Sequence, residues 1–136
     1  MNEDVGKLVY YRLDRANESI REAELLLDAG HANTCVNRLY YACFYAVSAL
    51  LLAKGHSSPK HSGIRSLFHQ KIVKPGLVEV AMGHLYDRLF DSRQKSDYAD
   101  LVKFEIMDVR PWVAEVKAFV GNIVGLIPGK NNGNEM

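Results

Sequence analysis

Two short segments put an arginine where a helical stripe would otherwise carry hydrocarbon. RLYYACFYAVSALL, residues 38–51, opens an apolar, aromatic stretch with Arg38. RQKSDY, residues 93–98, sets Arg93 at the end of a second apolar stripe, with Asp97 and Tyr98 just beyond it. A cation turned toward a core needs an anionic or aromatic partner. Arg93 continues the series Leu85 and Leu89 at helical spacing, so it points to the buried side at a helix end. Its planar fork suits a phosphate or a carboxylate. The alternative within the chain is a salt bridge to Asp91, Asp97 or Asp100. Arg38 shares a helical face with Tyr41 and Tyr45, an arrangement that favours guanidinium–ring stacking and could hold a base or phosphate. Its alternative is a carboxylate of the first helix.

Tyr98 can converge with Arg93 only if the helix ends between them and the chain folds back, and Asp97 makes such a turn plausible. The other reading of Tyr98 is an aromatic plug at the bundle end. Among the five histidines, His61 opens KHSGI just before a helix and is the one expected near a site. His31 and Cys35 have a two-ligand metal spacing, but no third ligand accompanies them, so no metal is expected. His69 after Arg65, and Arg88 after His84, read as ordinary helix-surface neighbours. There is no Gly-rich phosphate loop, nucleophile elbow or zinc-ligand cluster, and no cofactor is expected.

The elements that must position these residues are helical almost throughout. Val9, Leu13, Ala16, Ile20, Ala23 and Leu27 mark a one-sided helix of about 24 residues, ended by Gly30. A second helix over residues 32–54 is greasy nearly all round, as befits a central helix or one that also forms a subunit interface. GHSSPKHSG breaks the pattern, and a shorter helix follows over 62–72. Pro75 and Gly76 start a third long helix with the stripe Val78, Met82, Leu85, Leu89. Residues 95–103 read as a loop. The last helix covers 105–127, with Pro111 either kinking it or marking its true first turn. The expected fold is all-α, an up-and-down bundle of four long helices plus one short helix. It forms one domain over residues 1–127, and the apolar-poor residues 128–136 form a disordered tail.

The chain's 136 residues can bury a core without disulfides or a structural metal. With 17 basic and 16 acidic residues it lacks the global positive field of a non-specific nucleic-acid binder, so any anion site must be local. Cys35 and Cys43 sit roughly 12 Å apart along one helix, too far for a disulfide. They read as buried thiols of a reducing compartment. The polar start has no signal-peptide pattern, and the charge-free run of about fifteen residues after Arg38 is short for a membrane span. A cytoplasmic protein with no membrane association is expected.

NRLYYACFYAVSALLLAKG, then KHSGIRSLF, then LYDRLFDSRQKSDYAD, together resemble the HEPN domain family (higher eukaryotes and prokaryotes nucleotide-binding) in its small stand-alone prokaryotic form. The resemblance covers residues 5–127. It implies a HEPN-like helical bundle, a homodimer, and a cleft lined from the second and third long helices. It also implies a minimal nucleotidyltransferase (MNT) partner in a toxin–antitoxin-like pair. Many members are metal-independent ribonucleases with an R-x4-6-H motif at the helix end matching Arg93. Here Tyr98, Ala99 and Asp100 occupy the histidine offsets, and no arginine in the chain has a histidine so placed. A tyrosine with a pKa near 10 is a poor base at neutral pH. The expectation is therefore a nucleotide- or RNA-phosphate-binding protein using Arg93, Arg38, Tyr98, Asp97 and Tyr41. Tyr98 is also a candidate modification site for the partner. The first alternative is an endoribonuclease toxin in which His61 replaces the motif histidine beside Arg93. The second is a non-catalytic helical scaffold.

Overall fold

The computed structural model describes residues 2–98, 100 and 102–129. Among these residues the fold is all-helical and contains no strand. The order is α1 (Glu3–Asp28), α2 (Ala32–Ala53), α3 (His61–Phe68), a π-helical turn (His69–Val73), α4 (Val80–Ser96) and α5 (Ile106–Gly125). Residues 130–136 of the expected tail lie outside the described residues, and Pro128 and Gly129 form a turn.

Local chemistry sets the helix ends. The Asn2 side chain accepts the Val5 N–H at 2.8 Å, and Glu3 and Asp4 complement the positive end of α1. Gly55, at φ 87°, ends α2 by letting the His56 N–H reach back to the Leu51 carbonyl at 2.8 Å. This geometry starts the loop that leads into α3.

The third long helix begins later than its proline suggests. Gly76 adopts φ 84° and the Leu77 N–H bonds the Ile72 carbonyl, so Pro75 and Gly76 close the preceding π turn. Helix α4 starts at Val80, which leaves Val78 ahead of it as a half-buried flanking contact. The short helix spans His61–Phe68, and the expected continuation to residue 72 winds as the π turn. Helix α5 starts five residues before Pro111, so the proline sits inside the helix. Pro111 and Met107 lie on the exposed side, where the carbonyl that loses its donor is not trapped in the core.

Helix α2 is the centre of the molecule and packs on α1, α3, α4 and α5. Leu39, Tyr40, Cys43, Val47, Leu50 and Leu51 are fully buried along it. By length and composition α2 could cross a membrane, yet two thirds (67 %) of its most apolar window is buried inside this bundle. Truncating Leu39 or Leu50 to alanine would cost about 2–5 kcal/mol. Helix α3 and the π turn are each tied to α4 by one rung. Arg65 faces Asp91 at 3.9 Å, and His69 Nε2 meets Asp87 Oδ1 at 2.9 Å. The second rung forms where buried Gly83 lets α4 approach the π turn. A Cβ there would lie 3.1 Å from the His69 ring.

Candidate functional site

The α4 arginine and the α2 aromatic run meet. Arg93 lies three residues before the end of α4, half-buried, with its guanidinium carbon 5.4 Å from the Tyr40 ring centre and 5.6 Å from that of Tyr41. Its Nη2 donates a long hydrogen bond of 3.4 Å to the Tyr41 hydroxyl, while its Nε is buried with no partner. Among the described residues no carboxylate pairs with it. Asp91 faces Arg65, and Asp97 accepts from Asn37 Nδ2 at 3.3 Å. The ring faces offset part of the lost hydration of the cation. They supply no acceptor for the guanidinium fork, so its hydrogen-bonding capacity is largely unspent.

His61, the first residue of α3, joins the same cage. Its ring stacks on Phe44 with centres 4.2 Å apart and planes 6° from parallel, and it also lies against Tyr40 and Tyr41. Its Nδ1 is 2.7 Å from the Tyr40 hydroxyl oxygen. Burial, and secondarily the charge of Arg93, lower its pKa below the ordinary imidazole value, so it is neutral at pH 7. A methyl group at position 63 would overlap the Ser58 side chain, so Gly63 lets the loop pack against the first turn of α3. The Tyr40 phenol is pushed up to about 12, mainly by burial, so it stays protonated.

Arg38 faces the other side of Tyr41, 4.8 Å from the ring centre, but it is already partnered. Glu22 of α1 is 3.5 Å from its Nη1, and Asn37 Oδ1 accepts from both Nε and Nη2 at 3.1 and 2.7 Å. Tyr45, expected beside Arg38, instead carries Arg15 over its ring at 5.3 Å. Asp97, exposed, connects to this edge through Asn37. Tyr98 stands apart from the cage at 64 % exposure. It lines a cleft of about 430 Å³ with Asp91, Gln94, Lys95 and Val102. Helix α4 does end between Arg93 and Tyr98, yet no side-chain hydrogen bond or ring contact joins the two.

The HEPN domain model matches residues 9–125, most of the chain and every element of this site. This chain belongs to the HEPN domain family. It is 44 % identical over 127 residues to a UPF0332 protein of Thermotoga maritima, covering 93 % of this chain and 96 % of that one. A Methanocaldococcus jannaschii protein whose name marks it as a candidate toxin is 31 % identical over 86 residues, 63 % of this chain and 58 % of its own. A UPF0332 protein of Gloeobacter violaceus is 37 % identical over 82 residues, 60 % and 63 % of the two chains.

In this HEPN chain the cage draws on residues that pattern reading assigned elsewhere. Tyr40 reads as pure core and is fully buried, yet its hydroxyl reaches His61. Phe44 supplies the platform for the imidazole. Asn33 and Asn37 hold the segment after α4, and their four-residue spacing on so apolar a helix is the signal that could have found them. Among the described residues no group of three or more His, Cys, Asp or Glu could hold a metal ion. Cys35 is fully buried, with its thiol pushed up to about 11 by burial, whereas His31 is exposed.

Proposed function

We propose that this HEPN chain binds a nucleotide or RNA phosphate at Arg93 and acts in the cytoplasm as a homodimer. Its partner in this reading is a minimal nucleotidyltransferase, in a toxin–antitoxin-like pair. One observation carries the binding claim. The Arg93 guanidinium is lodged against two tyrosine rings, and among the described residues it has no carboxylate and its buried Nε has no partner. An anionic oxygen would complete it, and hydrogen bonds to a charged group are worth about 1.5–3 kcal/mol each. The relative named as a candidate toxin supports the toxin-like setting. Tyr98, exposed in the cleft at the end of α4, is the residue we assign as acceptor for modification by the partner.

Isothermal titration with ATP and with a short single-stranded RNA tests the binding claim. Binding by the wild type that is lost in Arg93→Ala supports it. No binding, or binding unchanged by Arg93→Ala, sinks it. Loss of thermal stability in that variant with every ligand assay unchanged would instead favour a structural scaffold.

The second reading is a metal-independent endoribonuclease, favoured by the neutral His61 held against the tyrosines that hold Arg93. There Arg93 would steady the scissile phosphate and His61 would move protons. It requires RNA cleavage in the presence of a chelator that disappears in His61→Ala. Intact RNA after prolonged incubation with the wild type would remove it.

A further inference from the structure

The hydrogen bond between Tyr40 and His61 can run in either direction, and the direction decides what His61 offers a ligand. If the imidazole donates from Nδ1, its Nε2 is a bare lone pair, able to act as a base. If the phenol donates, Nε2 carries the proton and is a donor. Among the described residues no hydrogen bond reaches the Nε2 atom, and it is not buried, so it is the face left for a ligand.

Burial of the Tyr40 phenol settles the direction. Tyr40 is fully buried, and among the described residues the hydrogen bond of its hydroxyl is the one of 2.7 Å to His61 Nδ1. Tyr86 packs on it with ring centres 6.0 Å apart, but its own buried hydroxyl lies outside hydrogen-bond geometry to any described group and so takes no proton from Tyr40. If His61 donated from Nδ1, the Tyr40 O–H would be stranded in the core, and a buried donor without an acceptor costs about 1–3 kcal/mol. The phenol therefore donates, and His61 Nδ1 is the unprotonated nitrogen.

We infer that Tyr40 is a positioning residue that holds His61 in its Nε2–H form, so that it presents a hydrogen-bond donor to an anion beside Arg93. The assignment of the tautomer stands on the free protein. Its use toward a phosphate rests on the binding function proposed above. It sharpens that function, because a neutral histidine protonated at Nε2 cannot accept a proton there. The cage becomes a two-donor anion clamp.

The test is long-range ¹H–¹⁵N correlation of the full chain, labelled at its imidazole nitrogens, at mildly alkaline pH, with His61 assigned by loss of its signal in His61→Gln. The expected spectrum has a pyridine-type Nδ1 and a pyrrole-type Nε2, with no admixture of the other tautomer. Tyr86→Phe keeps this pattern, since Tyr40 still donates. Tyr40→Phe gives the averaged shifts of a freely exchanging imidazole. A pyrrole-type Nδ1 in the wild type, or a switch of tautomer in Tyr86→Phe, overturns the inference. Should Tyr40→Phe fail to fold, the wild-type and Tyr86→Phe spectra still decide it. Titrating a short oligoadenylate into the wild type then reads the ligand face. A shift at Nε2, with binding about threefold to tenfold weaker in Tyr40→Phe, supports the donor role. An unmoved Nε2 while the oligoadenylate binds overturns the donor role, whereas no binding at all removes the phosphate-binding function and leaves the tautomer assignment standing.

Discussion

Arg38 and Arg93 approach the same tyrosine from two sides, and only one of them is available. Both guanidiniums lie within 6 Å of the Tyr41 ring centre, at 4.8 and 5.6 Å. Arg38 is held by Glu22 and by the side-chain carbonyl of its own neighbour, Asn37. Arg93 has a phenol at 3.4 Å and a buried Nε from which no described residue accepts. The difference lies in what stands across from each helix. Helix α1 brings Glu22 to Arg38, whereas Arg93 faces α2 where that helix carries rings. Stacking on aromatic groups therefore does not identify a binding arginine. A guanidinium whose acceptors are already supplied serves the fold, and one whose acceptors are missing is open to a ligand.

The contrast can be broken most forcefully at Arg93. Arg93→Ala should weaken binding of short RNA by tenfold to a hundredfold, from the loss of about 1.5–3 kcal/mol of charge-assisted hydrogen bonding. It should leave thermal stability close to that of the wild type, since no internal ion pair is lost. Arg93→Lys should fail to restore binding, because an ammonium lacks the planar fork. Salt titration sharpens the same point. Removing Arg93 should reduce the slope of log affinity against log salt by about 0.7 for a single strand, and removing Arg38 should leave it nearly unchanged. A smaller change follows from releasing the partnered arginine. Glu22→Gln should tighten RNA binding about twofold to fivefold, the worth of a partly exposed ion pair, and Arg38→Ala should alter it by less than about threefold.

The smallest effect concerns His61 and pH. Its folded pKa lies below the unfolded value of 6.5, so unfolding takes up a proton in the window just below that value. Stability should be level above the window and fall as the pH drops through it. His61→Gln should lose that part of the fall in thermal melts, and an identical pH profile for the two proteins would contradict the assignment.

The helices were legible because their cause is local. The periodic stripes of α1 and α2 predict their extents to within a few residues, and both end near a glycine. The start of α4 was not, because Pro75 and Gly76 suit a helix start as well as the close of a preceding turn. The choice rests on the backbone bond from Leu77 to Ile72, which no pattern displays. The candidate site divides in the same way. Arg93 could be singled out because a cation at the end of an apolar stripe violates the stripe. Tyr40 obeys its stripe, so its second role as His61's partner is invisible until α3 is docked. The fate of Arg38 was one of two stated alternatives, and only the docking of α1 selects Glu22.

One amide of α2 has a consequence for the chain beyond α4. Asn33 gives hydrogen bonds to the carbonyls of Ser96 and Val102, at 3.4 and 2.9 Å, and accepts one from the N–H of Phe104 at 2.9 Å. It works as a latch with both jaws in a single side chain, closing the two ends of the segment that presents Tyr98. Because that closure is separate from the core, the segment can be loosened without loosening the bundle. Leucine in place of Asn33 would unfasten Tyr98 from its station while Arg93 and His61 stay seated.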